Sequence, residues 1–333
     1  MSVVYQNSII GFVWRPEEIT PAVIQVAQRT KSSAVFDFSM MEKIDDLCAW
    51  LRQTDPENLV RDVKICAHAF MDPSIERILK ETGIHNIWVE HPFGYCQKDT
   101  SLFLQRLKEF AKNYRCFPIT GDTDLVAKMV KDGSGIGRIV LKGCEAAGFV
   151  SHETTMALYS MAKEMQRSSS TPFDILIWGG VFIPEAAAAF LSTGAAGIVF
   201  ESVHWLTDKV AVDDSQRGRL RHLRPDSTDL VGLDVQVPCR LFNKGNSLAF
   251  KKIKALEQSL CGAAVTAENR RSFANQVNAG AVHPLESRFS RDEIILLGVE
   301  AAFAGTFTDR FGAGTGEAVK RVHGRNSSFM PPG

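Results

Sequence analysis

The chain has 333 residues, 45% of them hydrophobic, and its 38 basic and 38 acidic side chains cancel to a formal net charge of zero. That length and apolar content suit one large buried core, and the balanced charge argues against nucleic acid or an anionic membrane as the main partner. No run approaches the ~18 apolar residues of a membrane span, and the N-terminus, MSVVYQNSIIGFVWRPEE, lacks the cationic start and apolar stretch of a signal peptide.

From residue 9 to 202, short apolar runs alternate with helical patterns. The predicted strands are Ile9–Val13, Ala34–Phe38, Val63–Ala67, Ile87–Glu90, Cys116–Thr120, Arg138–Lys142, Asp174–Trp178 and Gly197–Phe200. Helical patterns fall near 20–29, 41–52, 73–82, 99–112, 122–131, 152–166 and 184–193. Strands that are apolar throughout are buried on both faces, and strict alternation with helices implies parallel βαβ units. Eight such units favour a closed (βα)₈ TIM barrel over a doubly wound sheet, which would need a reversal of strand order. Thr20-Pro21 and Asp72-Pro73 read as N-caps followed by proline at the first helical position. Ile183-Pro184 opens another helix, which Thr193-Gly194 closes. Beyond residue 203 the rhythm stops. A polar stretch (207–229) precedes a strand-like run (234–242) and helical patterns near 249–260, 265–279 and 291–310. The chain thus divides into a barrel, residues 1–203, and a mainly helical extension, residues 204–333. Seven scattered cysteines without a CxxC pair read as buried free thiols of a reducing cytoplasm rather than a zinc site.

In such barrels chemistry sits at the C-terminal strand ends. The polar residues there are Asp37, His68, Glu90, His91, Thr120, Asp122, Lys142, Glu145, Glu201 and Ser202. Lys142, ending the sixth strand, reads as a Schiff-base amine, as the partner of an ion pair with Glu145 or Glu201, or as a phosphate contact. His68 and the Glu90-His91 pair suit general acid–base work, or support it by hydrogen bonds. Asp37, His68 and Glu90 form a mixed metal-ligand set, but no helix offers two ligands at i, i+4, so no metal is expected. His152 reads as a capping or surface residue. Phe182, Phe190 and the Ala186–Ala189 run read as helix-on-sheet packing, and the basic run at 217–224 as a solvated or docking face. Gly179-Gly180, directly before a helix, suits a phosphate. Bare backbone N–H groups can approach an anion there, and the helix start adds positive potential.

Three loops in order carry a family resemblance. Gly143-Cys-Glu145-Ala-Ala-Gly148-Phe-Val-Ser-His-Glu-Thr-Thr155 resembles the G-x-EAGGHxG-x-x-TT segment of nitronate monooxygenases and flavin enoyl reductases. Trp178-Gly179-Gly180-Val181 resembles their AGGI loop, and Gly194 to Ser202 their GA-x-GV-x-x-GT loop. A closer resemblance is to the nitronate-monooxygenase-like domain of polyketide and polyunsaturated-fatty-acid synthases. There a GQDAAFA helix and RFG motif match Leu297–Ala304 and Arg310-Phe311-Gly312. Departures stand beside these matches. Phe149 replaces the family's histidine, Ala147 its first AGG glycine and Glu201 its neutral glycine, and Ile10–Trp14 stands where the family has APM-x-G.

The resemblance implies an FMN-dependent oxidoreductase acting on an acyl chain, possibly carrier-protein bound, within or beside a polyketide or fatty-acid synthase, with other synthase domains or a second copy as partners. It would hold FMN with Gly148, Gly179, Gly180, Glu201 and Ser202, and use Lys142, His68, Glu90 and Glu145 in catalysis. A barrel that lost its flavin and became a docking domain, and a Schiff-base lyase on Lys142, are the alternatives.

Overall fold

The structure, a computed structural model, describes residues 9–322 apart from 16–17, 19–21, 26–32, 40–43, 55–59, 92–96, 132–135, 244–246 and 262–264. Eight parallel strands close into a barrel: Ile9–Trp14, Ser33–Asp37, Asp62–Cys66, Asn86–Glu90, Arg115–Thr120, Arg138–Lys142, Asp174–Trp178 and Gly197–Phe200. Each lies within one residue of its expected span. The eighth strand pairs with the first, from Ile9↔Gly197 to Phe12↔Phe200, so the sheet has no free edge and the doubly wound alternative falls away.

The pleat explains why the strands read as unbroken apolar runs. Val63, Ile65, Ile87, Val89, Ile139, Leu141, Ile175 and Ile177 join the core shared with the surrounding helices. Alternate residues Val13, Val35, Trp88, Val140, Leu176, Trp178 and Val199 fill the barrel interior, where Trp88 stacks on Phe117 with ring centroids 4.4 Å apart. Both faces are dry, so alternation in polarity disappears.

Helix starts and stops follow local chemistry with two departures. Pro184 opens the helix Pro184–Ser192 as expected, and Gly194, at φ +94°, ends it while the Ala195 N–H reaches back to the Phe190 carbonyl. Asp72 instead accepts the N–H and O–H of Ser74, shaping a turn ahead of the helix Ile75–Thr82 rather than capping it. A short helix, Ala67–Met71, directly follows the third strand with the Cys66 thiol at its start. Thr20-Pro21 lies outside the described residues. Phe190 packs in the core as expected, whereas Phe182 lies before its helix and stacks on Phe303 of the C-terminal part, centroids 4.9 Å apart.

After the eighth strand, a capping box at Asp213 starts the helix Asp214–Arg221 within the polar stretch. Strands Thr228–Val231 and Cys239–Phe242 pair antiparallel, and the second also pairs with Gly148–Phe149 in the loop after the sixth barrel strand. Helices Leu248–Leu260 and Ala267–Ala279 follow. The expected helix over 291–310 is found only in part: Ile294–Ile295 is a strand beside Ala281–Val282, Val299–Phe303 a 3₁₀ turn, and Ala304–Phe311 the helix. Tertiary contact overrides the periodicity here. Gly298 is wedged so that a Cβ would lie 2.9 Å from the Ala147 nitrogen, and the Val299 N–H donates to the Glu145 carbonyl at 2.9 Å.

Barrel closure depends on Gly197, where an added Cβ would sit 2.3 Å from the Ile9 carbonyl oxygen. Gly197→Ala is expected to force the first and eighth strands apart and to cost about 1–3 kcal/mol or more. Urea unfolding of purified wild type and variant reads this directly, and equal midpoints would refute it.

Candidate functional site

A lysine inside a barrel is stable only if carboxylates meet it. Lys64 projects inward from the third strand, between the outward residues Val63 and Ile65. Its Nζ lies 2.9 Å from Asp37 Oδ2 and 2.6 Å from Glu90 Oε2. Glu90 turns its other oxygen to Lys142, also at 2.6 Å. Ser39 closes the far end, donating both N–H and O–H to Asp37. Both ammonium groups lie 5.3 Å from the centre of the Trp178 ring, which forms the floor beneath them. Burial alone would raise the carboxylate pKa values, but the neighbouring lysines reverse this and hold Asp37 and Glu90 below the ordinary range. Lys64 is pushed above its usual value in the same way. Asp37, Lys64 and Glu90 are therefore ionised at neutral pH, and acidic and basic side chains alternate along the row Asp37–Lys64–Glu90–Lys142.

Above this row lies a cavity of about 560 Å³. Arg15 and Glu201 wall one side, Ala147–Phe149 another, and Arg270 and Arg271 reach in from the helix Ala267–Ala279. Of the residues expected to act, Lys142 and Glu90 meet at its floor, exposed His68 lines it, and Gly148 and Glu201 border it. Glu145, Gly179, Gly180 and Ser202 do not line it. Glu145 accepts the Thr155 N–H at 3.0 Å and its O–H at 2.7 Å, so it serves the start of the helix Thr155–Ser168. Lys142 pairs with Glu90, not with Glu145 or Glu201. His91 is buried with its ring 4.8 Å from Phe103, Asp122 caps the helix Thr123–Lys131, and exposed His152 sits 3.3 Å from Glu153. Among the described residues no group of three or more His, Cys, Asp or Glu is placed to hold a metal, and Asp37 and Glu90 are turned to Lys64 instead.

The corner after strands seven and eight keeps the features of an anion cradle. Gly179 and Gly180 have φ of +92° and +70°, and a Cβ on either would come within 3.0 Å of Ala146 or Thr155. Ser202 Oγ is buried without a hydrogen-bond partner. Three successive N–H groups, those of Glu201, Ser202 and Val203, converge at 2.8, 2.8 and 3.0 Å on one acceptor. That acceptor is Glu300 Oε1, from the 3₁₀ turn of the C-terminal part. Glu201 itself is turned away. Its carboxylate accepts the Ala147 N–H at 3.1 Å and the Trp178 indole N–H at 3.3 Å, with Arg15 3.8 Å away. The three N–H groups form a donor set of the kind that holds an anion, and a carboxyl group of the chain occupies it.

Lys64, Arg15, Glu300 and the Arg270-Arg271 pair are not among the residues expected at the site. Lys64 carried a signal, because a charge at an alternate position of an apolar strand points into the barrel. Glu300 carried none, as its contact spans 98 residues of chain to Ser202.

No family model matches the chain, and no curated protein matches it in sequence. The fold has clear counterparts. It is similar to FabK from Thermotoga maritima at TM-score 0.67 and 14% identity, covering 96% of this chain and 93% of that one. It is similar to the enoyl reductase domain of MlnA from the macrolactin biosynthesis cluster of Bacillus amyloliquefaciens at TM-score 0.65 and 11% identity, covering 96% and 94%. Nitroalkane oxidase from Streptomyces ansochromogenes matches at TM-score 0.63 and 11% identity, over 98% of each chain. The fold is thus the one to which the loop resemblance pointed. Among the described residues no helix is long and apolar enough to cross a membrane.

Burial, with Glu201 as a further cause, pushes the Glu300 pKa up to about 8 against the pull of its three N–H donors. A raised folded-state pKa means the native state holds the extra proton. Its stabilising effect is complete below about pH 4.5 and is lost as pH rises toward 8. Wild type is expected to lose stability relative to Glu300→Gln between pH 5 and 8, with a slope of at most about 1.4 kcal/mol per pH unit. His204, whose pKa burial lowers to about 3, destabilises on acidification in both proteins and cancels in the difference. Parallel denaturation curves across that range would refute the assignment.

Proposed function

We propose that the chain is an FMN-dependent oxidoreductase of the enoyl-reductase and nitronate-monooxygenase kind, acting on an acyl substrate. The observation that carries this reading is the ion-paired Lys142 ammonium on the floor of a cavity, at the strand ends of a barrel whose fold is shared with FabK, an enoyl reductase domain and a nitroalkane oxidase. Gly179, Gly180 and the Glu201–Ser202 loop are the residues that would hold the cofactor phosphate, and Gly148 borders the space for its ring. A flavin bound there supplies hydride transfer.

The chain's own part is electrostatic. Glu90 and the Trp178 face fix the Lys142 ammonium, which donates a hydrogen bond to a substrate carbonyl oxygen and stabilises the charge that develops on it. Lys64 keeps Glu90 ionised and in place, and His68 at the rim exchanges protons with solvent. Arg270 and Arg271 add a positive field that favours an anionic group on the substrate. Amine attack by Lys142 would first have to break its 2.6 Å contact with Glu90.

The barrel of residues 1–203 then carries the chemistry, and residues 204–333 cover it and face a synthase domain or second copy. The free buried thiols Cys116, Cys144 and Cys239 support work in a reducing cytoplasm. One observation favours a second reading, a flavin-free docking barrel: Glu300 fills the cradle's strand-eight side.

The purified protein is expected to take up added FMN stoichiometrically and turn yellow. A colourless protein that takes up none leaves the docking reading in its place. Lys142→Ala is expected to retain FMN and lose about 10²-fold or more in turnover of an enoyl thioester; turnover within twofold of wild type would remove Lys142 from the mechanism.

A further inference from the structure

The Glu300 contact is built like a ligand contact. One oxygen takes three consecutive backbone N–H groups, the arrangement by which loops hold anions. Glu300 is 2% exposed and Ser202, whose hydroxyl lacks a partner, is also 2% exposed. The acceptor arrives from a separate segment, on the turn Val299–Phe303, and it lies near a second carboxyl group, Glu201, which disfavours its charged form. A side chain is placed so only where the donors it meets would otherwise be left unmatched. The loop would present the same donors whether or not Glu300 were there.

We propose that the nest formed by the N–H groups of Glu201, Ser202 and Val203 is an anion site that the chain fills with its own Glu300, and that a phosphate group enters only by displacing that carboxyl. Glu300 is then the residue that decides whether this barrel accepts a phosphorylated ligand. The proposal rests on the flavin reading only in that the phosphate of FMN is one such group. The nest can be tested with inorganic phosphate alone.

Replacement separates the outcomes. Glu300→Ala leaves three buried N–H groups without an acceptor, so the variant loses thermal stability and phosphate restores part of it. The expected gain is a saturable rise in Tm of about 4 °C or more with phosphate in large excess, measured against chloride at matched ionic strength. Glu300→Gln keeps an acceptor oxygen in the nest and is expected to gain nothing, as is wild type. If Glu300→Ala does not fold, the shorter Glu300→Asp withdraws the carboxyl by one methylene and is expected to show the same phosphate-specific rise. No phosphate-specific rise in whichever variant folds, or an equal rise in wild type, overturns the proposal. A colourless wild type beside a phosphate-stabilised Glu300→Ala supports the nest while removing the flavin reading. A yellow wild type whose FMN affinity is unchanged in Glu300→Ala overturns the nest and leaves the flavin reading standing.

Discussion

The Lys64 ammonium is the constraint around which the barrel mouth is arranged. A charge inside a barrel is tolerated only with partners on both sides, and removing either leaves a buried charge uncompensated at a cost of several kcal/mol. Asp37 from the second strand and Glu90 from the fourth meet that demand from neighbouring staves. Glu90 is thereby oriented with one oxygen left over, and that oxygen fixes Lys142 of the sixth strand. A requirement for charge balance at the third strand thus sets the geometry of a group three strands away. The Trp178 ring below keeps water out from underneath and adds attraction for both cations.

Two further carboxyl groups hold the rim. Glu201 ties the loop after the sixth strand to the indole of the seventh, and Glu300 ties the loop after the eighth to the C-terminal part. Phe182 stacked on Phe303 and the pairing of Gly148–Phe149 with Cys239–Arg240 make the same connection by apolar contact and by backbone. The three loops that carry the family resemblance are therefore secured by one another and by residues beyond 228.

The sequence was most legible where local rules act without competition. The eight strands were readable because dry faces leave unbroken apolar runs, and the helix at Pro184 because proline and glycine act on their own backbone. Lys142 and Glu90 could be placed at the mouth from their position at strand ends, but their pairing could not, since it depends on side chains that meet across the barrel. Glu145, placed among the acting residues from its loop, accepts the Thr155 N–H and O–H at a helix start, because a carboxylate near free N–H groups satisfies them first. The expected helix from 291 failed where Gly298 must press against the Ala147 backbone. Periodicity cannot report such a contact, and it cannot report Glu300 either.

The pairing of Gly148–Phe149 with Cys239–Arg240 has a consequence for the order of synthesis. The eight staves are complete once residue 200 has been made, and a growing chain can collapse them from its N-terminal side. The loop after the sixth strand then waits some ninety residues of translation for its neighbour strand, and the loop after the eighth waits about a hundred for Glu300. For that interval the nascent barrel has a finished wall and an unfinished mouth, with unmatched amide hydrogens facing the cell.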